Sequence, residues 1–166
     1  RMLAANRSDL VLAVVMAAAS AGKLLPGTDE KPFSRLRAEI DGAGNPSLSE
    51  AERLVCLQKA FFAPGHDPSA WLDGWFQEAH EAQSHARTNT PIDDYFSGGK
   101  TVPILDLQAE FDAVVVPKIM KPFLGDRVTE QVILNAGHSM APEQPQAMCD
   151  AICKFADQMY ANHSVD

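Results

Sequence analysis

Two residues suited to acid–base chemistry, Asp112 and His138, each follow an apolar run that is typical of a buried strand. One run begins at Val102 and leads to Asp112, and the other, at 132–137, leads directly to His138. In open α/β sheets, functional side chains lie where parallel strands end at their carboxyl edge. A histidine that accepts a proton and an aspartate that orients it are two of the three members of a hydrolytic triad. Each residue alone fits an ordinary turn, but the pair in this order favours a hydrolase-type site.

The hydrophobic pattern predicts the elements that position this pair. Strands are expected near 10–17, 102–108 and 129–135, each a nearly continuous apolar run of the kind found in sheets covered on both faces. A closing helix follows His138, and its apolar residues recur at helical spacing. This stripe consists of Ala147, Met148, Ala151, Ile152, Phe155 and Met159. The order of the elements predicts an α/β fold with a doubly wound parallel sheet.

The sequence changes character at 24–98, between the first two strands. Proline and glycine interrupt its first part, around one short helical piece at 33–40. Two overlapping capping boxes begin at Ser47 and Ser49 and predict a helix that runs to residue 62. Asp67 followed by proline predicts a further helix, which runs to about residue 86. The region is therefore expected to be helical and separate from the sheet.

The segment 101–160 resembles the C-terminal third of an α/β-hydrolase. The resemblance rests on the proline-led strand before Asp112, the strand before His138, and Glu143-Gln144-Pro145 at the start of the last helix. Residues 1–23 are similar to the helix behind the family's nucleophile and to the strand that follows it. In that family, the aspartate orients the histidine and the histidine activates the nucleophile. The resemblance thus implies a hydrolase that cleaves an ester, an amide or a related bond.

The same resemblance implies how the chain is divided. Residues 1–23 and 99–166 correspond to part of the hydrolase core, and residues 24–98 to an inserted helical cap. The expected substrate-binding residues, which would line an apolar pocket, are Phe61, Phe62, Trp71, Trp75, Phe76, Val114 and Met140. For the aromatic residues the alternative is equally open, namely that they only join cap to core by burying apolar area.

Asp106 and Glu110 compete with Asp112 for the role of the acid. Asp106 lies inside the predicted strand, too early to reach a site beyond its carboxyl end. Asp112 precedes an apolar stretch at 113–117 that ends in proline, which is the context that α/β-hydrolases place after their acid. This context favours Asp112.

The pattern G-x-S-x-G, on which α/β-hydrolases carry the nucleophile, does not occur in the sequence. Residues 1–6 resemble the later turns of the helix that follows it, so the nucleophile is expected to precede Arg1. Without a nucleophile and oxyanion donors, the 166 residues alone are expected to turn over nothing. If the nucleophile is an aspartate, the pair suits a haloalkane-dehalogenase-like reaction. The alternative is a non-catalytic protein of this fold that binds a small ligand.

Composition and charge limit the classes of binding partner that we expect. A formal charge of −8, with no cluster of lysine or arginine, argues against nucleic acid and against an anionic membrane surface. No apolar run reaches the ~20 residues of a membrane-spanning helix, so we expect a soluble protein with a small-molecule substrate. The strand at 10–17 is expected to leave an apolar edge unpaired, and self-association of the chain would follow. The localisation stays open, with the cytoplasm as the default.

No metal or organic cofactor is expected. His80 and His85 are five residues apart, on different faces of the predicted helix, and no cysteine or carboxylate completes a ligand set. Cys56, Cys149 and Cys153 fit no secreted disulfide framework. The last two lie on one helix, where Cβ atoms about 5–6 Å apart are too distant for a disulfide. Reduced, packed thiols are therefore predicted.

Overall fold

The sheet consists of three parallel strands, and the central strand leads to Asp112. The computed structural model describes residues 1–28, 35–73 and 75–163. The strands are β1 (Val14–Ala17), β2 (Ile104–Ala109) and β3 (Val128–Ile133), in the spatial order β1-β2-β3. β2 is buried along its whole length, as expected of a central strand that is covered on both faces. The parallel sheet with its helices confirms the predicted α/β fold class.

The first strand is shorter than predicted. Ser8–Leu10 form a 3-10 helix, and β1 begins only at Val14, whose amide donates to the Pro103 carbonyl. Leu10 is 62% exposed, so the apolar run at its start does not mark a buried strand. Of the predicted strand, only the residues that lie alongside β2, which are Val14–Ala17, form backbone pairs with it. Within the described residues β1 pairs with β2 alone, and self-association through its other edge stays a prediction.

Helices fill both connections between the strands, as parallel pairing requires. The α-helices among the described residues are α1 (Met2–Asn6), α2 (Arg37–Ala43), α3 (Glu50–Ala60), α4 (Gln77–Asn89), α5 (Met120–Leu124), α6 (Met140–Glu143) and α7 (Pro145–His163). Short 3-10 helices occur at Ser8–Leu10, Pro68–Trp71, Ile92–Asp94 and Gly125–Arg127. Within the described ranges, none of the helices has both the length and the apolar character needed to cross a bilayer.

The single helix predicted from residue 68 to about 86 is wrong. The chain forms a 3-10 helix at Pro68–Trp71, is extended at Phe76, and begins α4 only at Gln77. The indole of Trp75 donates to the Trp71 carbonyl at 2.6 Å. In an α-helix that carbonyl accepts from the backbone amide of residue 75, and here it accepts from the indole of the same residue.

α3 begins where the second of the two capping boxes predicts. The Ser49 hydroxyl accepts from the Glu52 amide at 3.3 Å, and the Glu52 carboxylate accepts from the Ser49 amide at 2.9 Å. The Ser47 amide instead donates to the Asn45 side chain, and α3 starts after Ser49. The helix ends at Ala60, slightly before the predicted end.

Replacing Ser49 by alanine should lower the free energy of unfolding by about 1 kcal/mol, because the first turn of α3 loses its side-chain acceptor. Ser47→Ala is the matched control, since it removes the same hydroxyl outside the cap, and it should change stability by less than about 0.5 kcal/mol. Urea unfolding followed by circular dichroism measures both. Equal midpoints for Ser49→Ala and the unchanged chain would contradict the capping role.

Two apolar clusters pack on the two faces of the sheet, and the residues of β2 alternate between them. The expectation that the strand near 129–135 is covered on both faces is wrong, because Val132 of β3 and Leu134 after it are exposed at this edge of the sheet. One cluster contains Leu105, Leu107, Ala109 and Ile133, packed against Ala151 and Phe155 of α7. The other contains Met16, Ile104 and Val128, packed against Phe96, Ile119 and Met120. The strand that leads to Asp112 is therefore held from both sides.

The closing helix α7 packs through most of its predicted stripe. Ala151 and Phe155 are buried and Met148, Ile152 and Met159 are partly buried, whereas Ala147 is exposed and was wrongly included. The prediction of packed thiols is also wrong for two cysteines. Cys149 and Cys153 lie on the exposed side of α7, with their Sγ atoms 3.9 Å apart. They are free thiols, because a disulfide requires a separation of about 2.05 Å.

A third apolar cluster joins α2, α3 and the segment after α3. Its buried residues are Ile40, Ala43, Leu57, Ala60, Phe61 and Phe62. The helix predicted at 33–40 corresponds in its described part to α2, while residues 33 and 34 lie outside the described residues. Ile92 and Phe96, which belong to the predicted cap by number, pack in a sheet cluster. The division into core and cap stays a prediction.

Candidate active site

The turn after β2 places Asp112 beside the loop that follows β3. The Glu110 amide donates to the Ile133 carbonyl at 3.1 Å, and the Phe111 amide donates to the Ala136 carbonyl at 2.8 Å. These two bonds extend the pairing of β2 and β3 beyond the ends of both strands. The residues after the two strands are thus brought together, as expected at the carboxyl edge of a parallel sheet.

Both oxygens of the Asp112 carboxylate have defined partners. Oδ1 accepts from the amides of Val114 and Val115, at 2.8 and 2.9 Å. Oδ2 lies 3.1 Å from Nδ1 of His138. The Asp112 side chain is 7% exposed, so water competes little for these bonds. The carboxylate is therefore fixed in orientation by the backbone that follows it.

The bond to Asp112 determines which nitrogen of His138 carries the proton. A carboxylate oxygen can only accept, so Nδ1 must be the donor and Nε2 is left as an acceptor in the neutral ring. The His138 side chain is 23% exposed, and its ring centroid lies 5.6 Å from that of Phe61. The imidazole is thus held between a carboxylate and an apolar ring, and within the part of the chain that the structure describes no hydrogen bond engages Nε2.

The competing carboxylates lie elsewhere. Asp106 is buried within β2, where its Oδ2 accepts from the Gln108 side chain at 2.8 Å. Glu110 accepts from the Asn135 amide at 2.8 Å. Of the three candidate acids, the structure brings Asp112 into contact with His138.

Burial raises the pKa of the Asp106 carboxyl, and the neighbouring charge of Glu130 raises it further, against the hydrogen bond from Gln108 and the charge of Arg1. The folded chain therefore holds this proton more tightly than the unfolded chain does. The protonated carboxyl therefore stabilises the folded chain fully at pH values below the unfolded pKa of about 3.9. This stabilisation is lost as the pH rises through the pKa of Asp106 in the folded chain.

Asp106→Asn should therefore raise the free energy of unfolding at pH 7 and give a smaller gain at pH 4. Asparagine can still accept the hydrogen bond from Gln108 through its own oxygen. Urea unfolding at the two pH values measures the difference, with Asp126→Asn, at an exposed position, as the control. A gain that is the same at both pH values would show that Asp106 does not cause it.

The predicted aromatic residues are only partly brought together. Phe61, Phe62, Trp71 and Trp75 lie in one cluster, and Val114 packs against it. Ring centroids are 5.8 Å apart for Phe61 and Trp71 and 6.0 Å apart for Phe61 and Trp75. Because Phe61 also contacts the His138 ring, the cluster forms an apolar wall beside the imidazole.

Two of the predicted substrate-binding residues lie apart from this wall. Phe76 is 73% exposed, and the backbone is extended at this residue. It borders a cavity of about 240 Å³ together with Trp75 and residues of α2. Met140 begins α6 and is buried in the sheet cluster with Leu105 and Phe155. Neither side chain is a member of the cluster that contacts His138, and their role in substrate binding stays a prediction.

The cavity next to Asp112 is small. Its volume is about 70 Å³, and Asp106, Gln108 and Glu110 contribute to its lining. Pockets for small organic ligands typically measure about 300–1,000 Å³. A more open groove of about 490 Å³ is bordered by Phe62 and Phe111. The cavity that these residues form beside Asp112 is thus smaller than a typical ligand pocket.

Sequence reasoning missed Glu143. Its carboxylate is buried and accepts from two amides, from Ala63 at 2.6 Å and from Gly137 at 2.7 Å. The Ser139 amide donates to the Phe61 carbonyl at 2.9 Å. The sequence indicates only that Glu143 precedes the last helix. Its partners are backbone groups, which leave no trace in the residue types.

The histidines considered as metal ligands are exposed. His80 lies in the first turn of α4, and His85 contacts Asn89 on the same helix. Within residues 1–28, 35–73 and 75–163, no three histidine, cysteine, aspartate or glutamate side chains are grouped to hold a metal ion.

Several solved structures are similar to this chain. A membrane phospholipase A that is a bacterial virulence factor superposes with a TM-score of 0.65 at 17% sequence identity, over 95% of this chain and 52% of its own. A thermophilic esterase superposes with a TM-score of 0.59 at 19% sequence identity, over 93% of this chain and 59% of its own. An α/β-hydrolase from a deep-sea metagenome library of the Medee basin superposes with a TM-score of 0.50 at 17% sequence identity, over 92% of this chain and 59% of its own. No family model and no curated protein sequence matches the chain.

The chain therefore has the α/β-hydrolase fold, and its elements fit the C-terminal part of that fold. It spans little more than half the length of the first two structures, 52% and 59%. The predicted resemblance is thus confirmed at the level of the fold.

Proposed function

We propose that this chain provides the acid–base pair of an α/β-hydrolase-type enzyme that cleaves an ester, an amide or a related bond. The observation that carries the proposal is the contact between Asp112 and His138, 3.1 Å long, at the carboxyl edge of the sheet. Two similar structures are an esterase and a phospholipase, and both names describe ester hydrolysis. They favour an ester over an amide.

In the proposed mechanism, Nε2 of His138 takes the proton of the nucleophile as that atom attacks the carbonyl carbon. The protonated imidazole then gives its proton to the leaving group, and in the second half it activates a water molecule. Asp112 keeps the proton on Nδ1 and stabilises the imidazolium while it exists. The residues of this chain thereby perform the proton transfers of both halves of the reaction.

The nucleophile and the oxyanion donors belong, in this proposal, to a part of the fold outside these residues. This chain covers 52% and 59% of the two similar structures, which leaves room for that part. A small apolar substrate is favoured, because the aromatic wall formed by Phe61, Trp71 and Trp75 lies beside His138.

The coding sequence upstream of Arg1 tests the proposal. A serine or cysteine on a strand-to-helix elbow, within roughly ten residues, is expected. A chain extended to include the whole upstream part of the fold, with the nucleophile and the oxyanion donors, should hydrolyse nitrophenyl esters of short acids and should react with a fluorophosphonate, whereas the 166-residue chain should do neither.

Other outcomes of this test are informative. An aspartate at the elbow, with release of halide from haloalkanes, would replace ester hydrolysis by dehalogenation. Glycine or alanine at the elbow, or an extended chain that is inactive towards all these substrates, would refute the proposed enzymatic function. The alternative of a small-ligand-binding protein would then remain.

A further inference from the structure

Glu143 joins two segments that are distant in the sequence. Its Oε1 accepts from the Ala63 amide at 2.6 Å, and its Oε2 accepts from the Gly137 amide at 2.7 Å. Ala63 follows the aromatic pair at the end of α3, and Gly137 directly precedes His138. One side chain of α6 therefore holds both the apolar wall and the loop that carries the imidazole.

The same two segments also touch each other directly. The Ser139 amide donates to the Phe61 carbonyl at 2.9 Å, and the Phe61 ring lies 5.6 Å from the His138 ring. Ala63 and Gly137 are both buried, so water cannot replace the carboxylate as the partner of their amides. A buried amide without an acceptor is costly, so the segments must keep the positions that Glu143 sets.

We propose that Glu143 is a positioning residue, which seats the His138 loop on residues 61–63 and so holds the imidazole between Asp112 and Phe61. Only a carboxylate presents two oxygens that both accept and do not donate. A glutamine of the same shape would turn its NH₂ group towards one of the two amides, and two donors would then face each other. The effect on catalysis rests on the proposed hydrolase function, whereas the effect on the imidazole does not.

Glu143→Gln in the 166-residue chain tests this link by NMR. Amide exchange at Ala63 and Gly137 should accelerate about tenfold or more, because one of the two buried bonds is lost. The ¹⁵N signals of the imidazole should show a measurable fraction of the tautomer with the proton on Nε2. A residue that only adds stability would leave the tautomer of His138 unaltered.

Glu110→Gln is the matched control. Glu110 also accepts a backbone amide of the loop after β3, from Asn135 at 2.8 Å, but it is exposed and uses one oxygen for it. Glutamine can keep that bond through its own oxygen, so the His138 signals should not change. If Glu143→Gln does not fold, Glu143→Asp, which is too short to reach both amides, replaces it.

A folded Glu143→Gln with the imidazole signals of the unchanged chain would overturn the proposal, and so would an equal response in Glu110→Gln. In a chain that carries the nucleophile, Glu143→Gln should lower kcat about 10²-fold by misplacing the base. An inactive extended chain would refute the proposed function, but the NMR result on His138 would still decide the role of Glu143.

Discussion

Replacing Asp112 by asparagine should lower kcat for ester hydrolysis about 10⁴-fold in a chain that carries the nucleophile. Oδ1 accepts from the amides of Val114 and Val115, so an asparagine must place its oxygen there and its NH₂ group towards His138. Two donors cannot pair, so Nδ1 would become the acceptor and the proton would move to Nε2. In that tautomer the imidazole cannot take the proton of a nucleophile.

The rate of Asp112→Asn is compared with that of a variant without the base and with those of two control variants. His138→Ala removes the base altogether and sets the lowest rate. Asp106→Asn and Glu110→Gln change the other two carboxylates near this edge, neither of which contacts His138, and they should keep the rate within a few-fold. An Asp112→Asn rate close to that of the unchanged enzyme, or a large loss in Asp106→Asn, would remove Asp112 from the role of the acid.

The same substitution has a consequence that requires no turnover. The ¹⁵N shifts of the His138 ring should report Nδ1–H in the 166-residue chain and Nε2–H in Asp112→Asn. A tautomer that does not change would mean that the asparagine is oriented differently from the aspartate that it replaces.

The contact between Asp112 and His138 could be predicted because it follows from local pattern and topology together. Each residue directly follows a strand, and strands that pair in parallel bring their following turns to one edge. Asp106 was separated from this site by its position inside β2, where the structure also places it. Short-range signals were thus sufficient for the pair, given the order of the strands.

The course of the chain around the aromatic residues could not be predicted in the same way. Asp67 and Pro68 correctly indicated a helix start, but the indole of Trp75 takes the carbonyl of Trp71 and the turn ends. The Trp75 ring also packs against Phe61, with centroids 6.0 Å apart, and such a tertiary contact leaves no signal in the local sequence. Phe76 then follows an extended backbone to the surface, and its hydrophobicity alone gave no hint of that.

Glu143 shows the limit of sequence reasoning at the site itself. A carboxylate before a helix fits solvent, a cap or a buried bond equally well by residue type. What distinguishes it is a pair of amides, at Ala63 and Gly137, and every residue except proline has an amide. Only the approach of residues 61–63 to the His138 loop reveals the contact, and that approach is set by tertiary packing.

Gly137→Ala should lower the free energy of unfolding by about 3 kcal/mol, because the added methyl group overpacks a contact between two backbones. A Cβ at residue 137 would lie 2.6 Å from the Ala63 nitrogen and 2.6 Å from the Phe61 oxygen. Neither atom can move freely, since the Ala63 amide is bound to Glu143 and the Phe61 carbonyl to the Ser139 amide. The His138 loop must therefore shift away from residues 61–63, and the imidazole must leave its position against Asp112.

Gly65→Ala separates this steric effect from the general cost of replacing a glycine. Gly65 has a φ of +87° and no atom within 4 Å of an added Cβ, so the change should cost about 1–2 kcal/mol through backbone strain alone. Urea unfolding measures both variants, and the ¹⁵N signals of His138 should change in Gly137→Ala and not in Gly65→Ala. If Gly137→Ala leaves both the unfolding midpoint and the imidazole signals unchanged, the His138 loop is not seated on the backbone of residues 61–63, and the support that this contact gives to the base is lost.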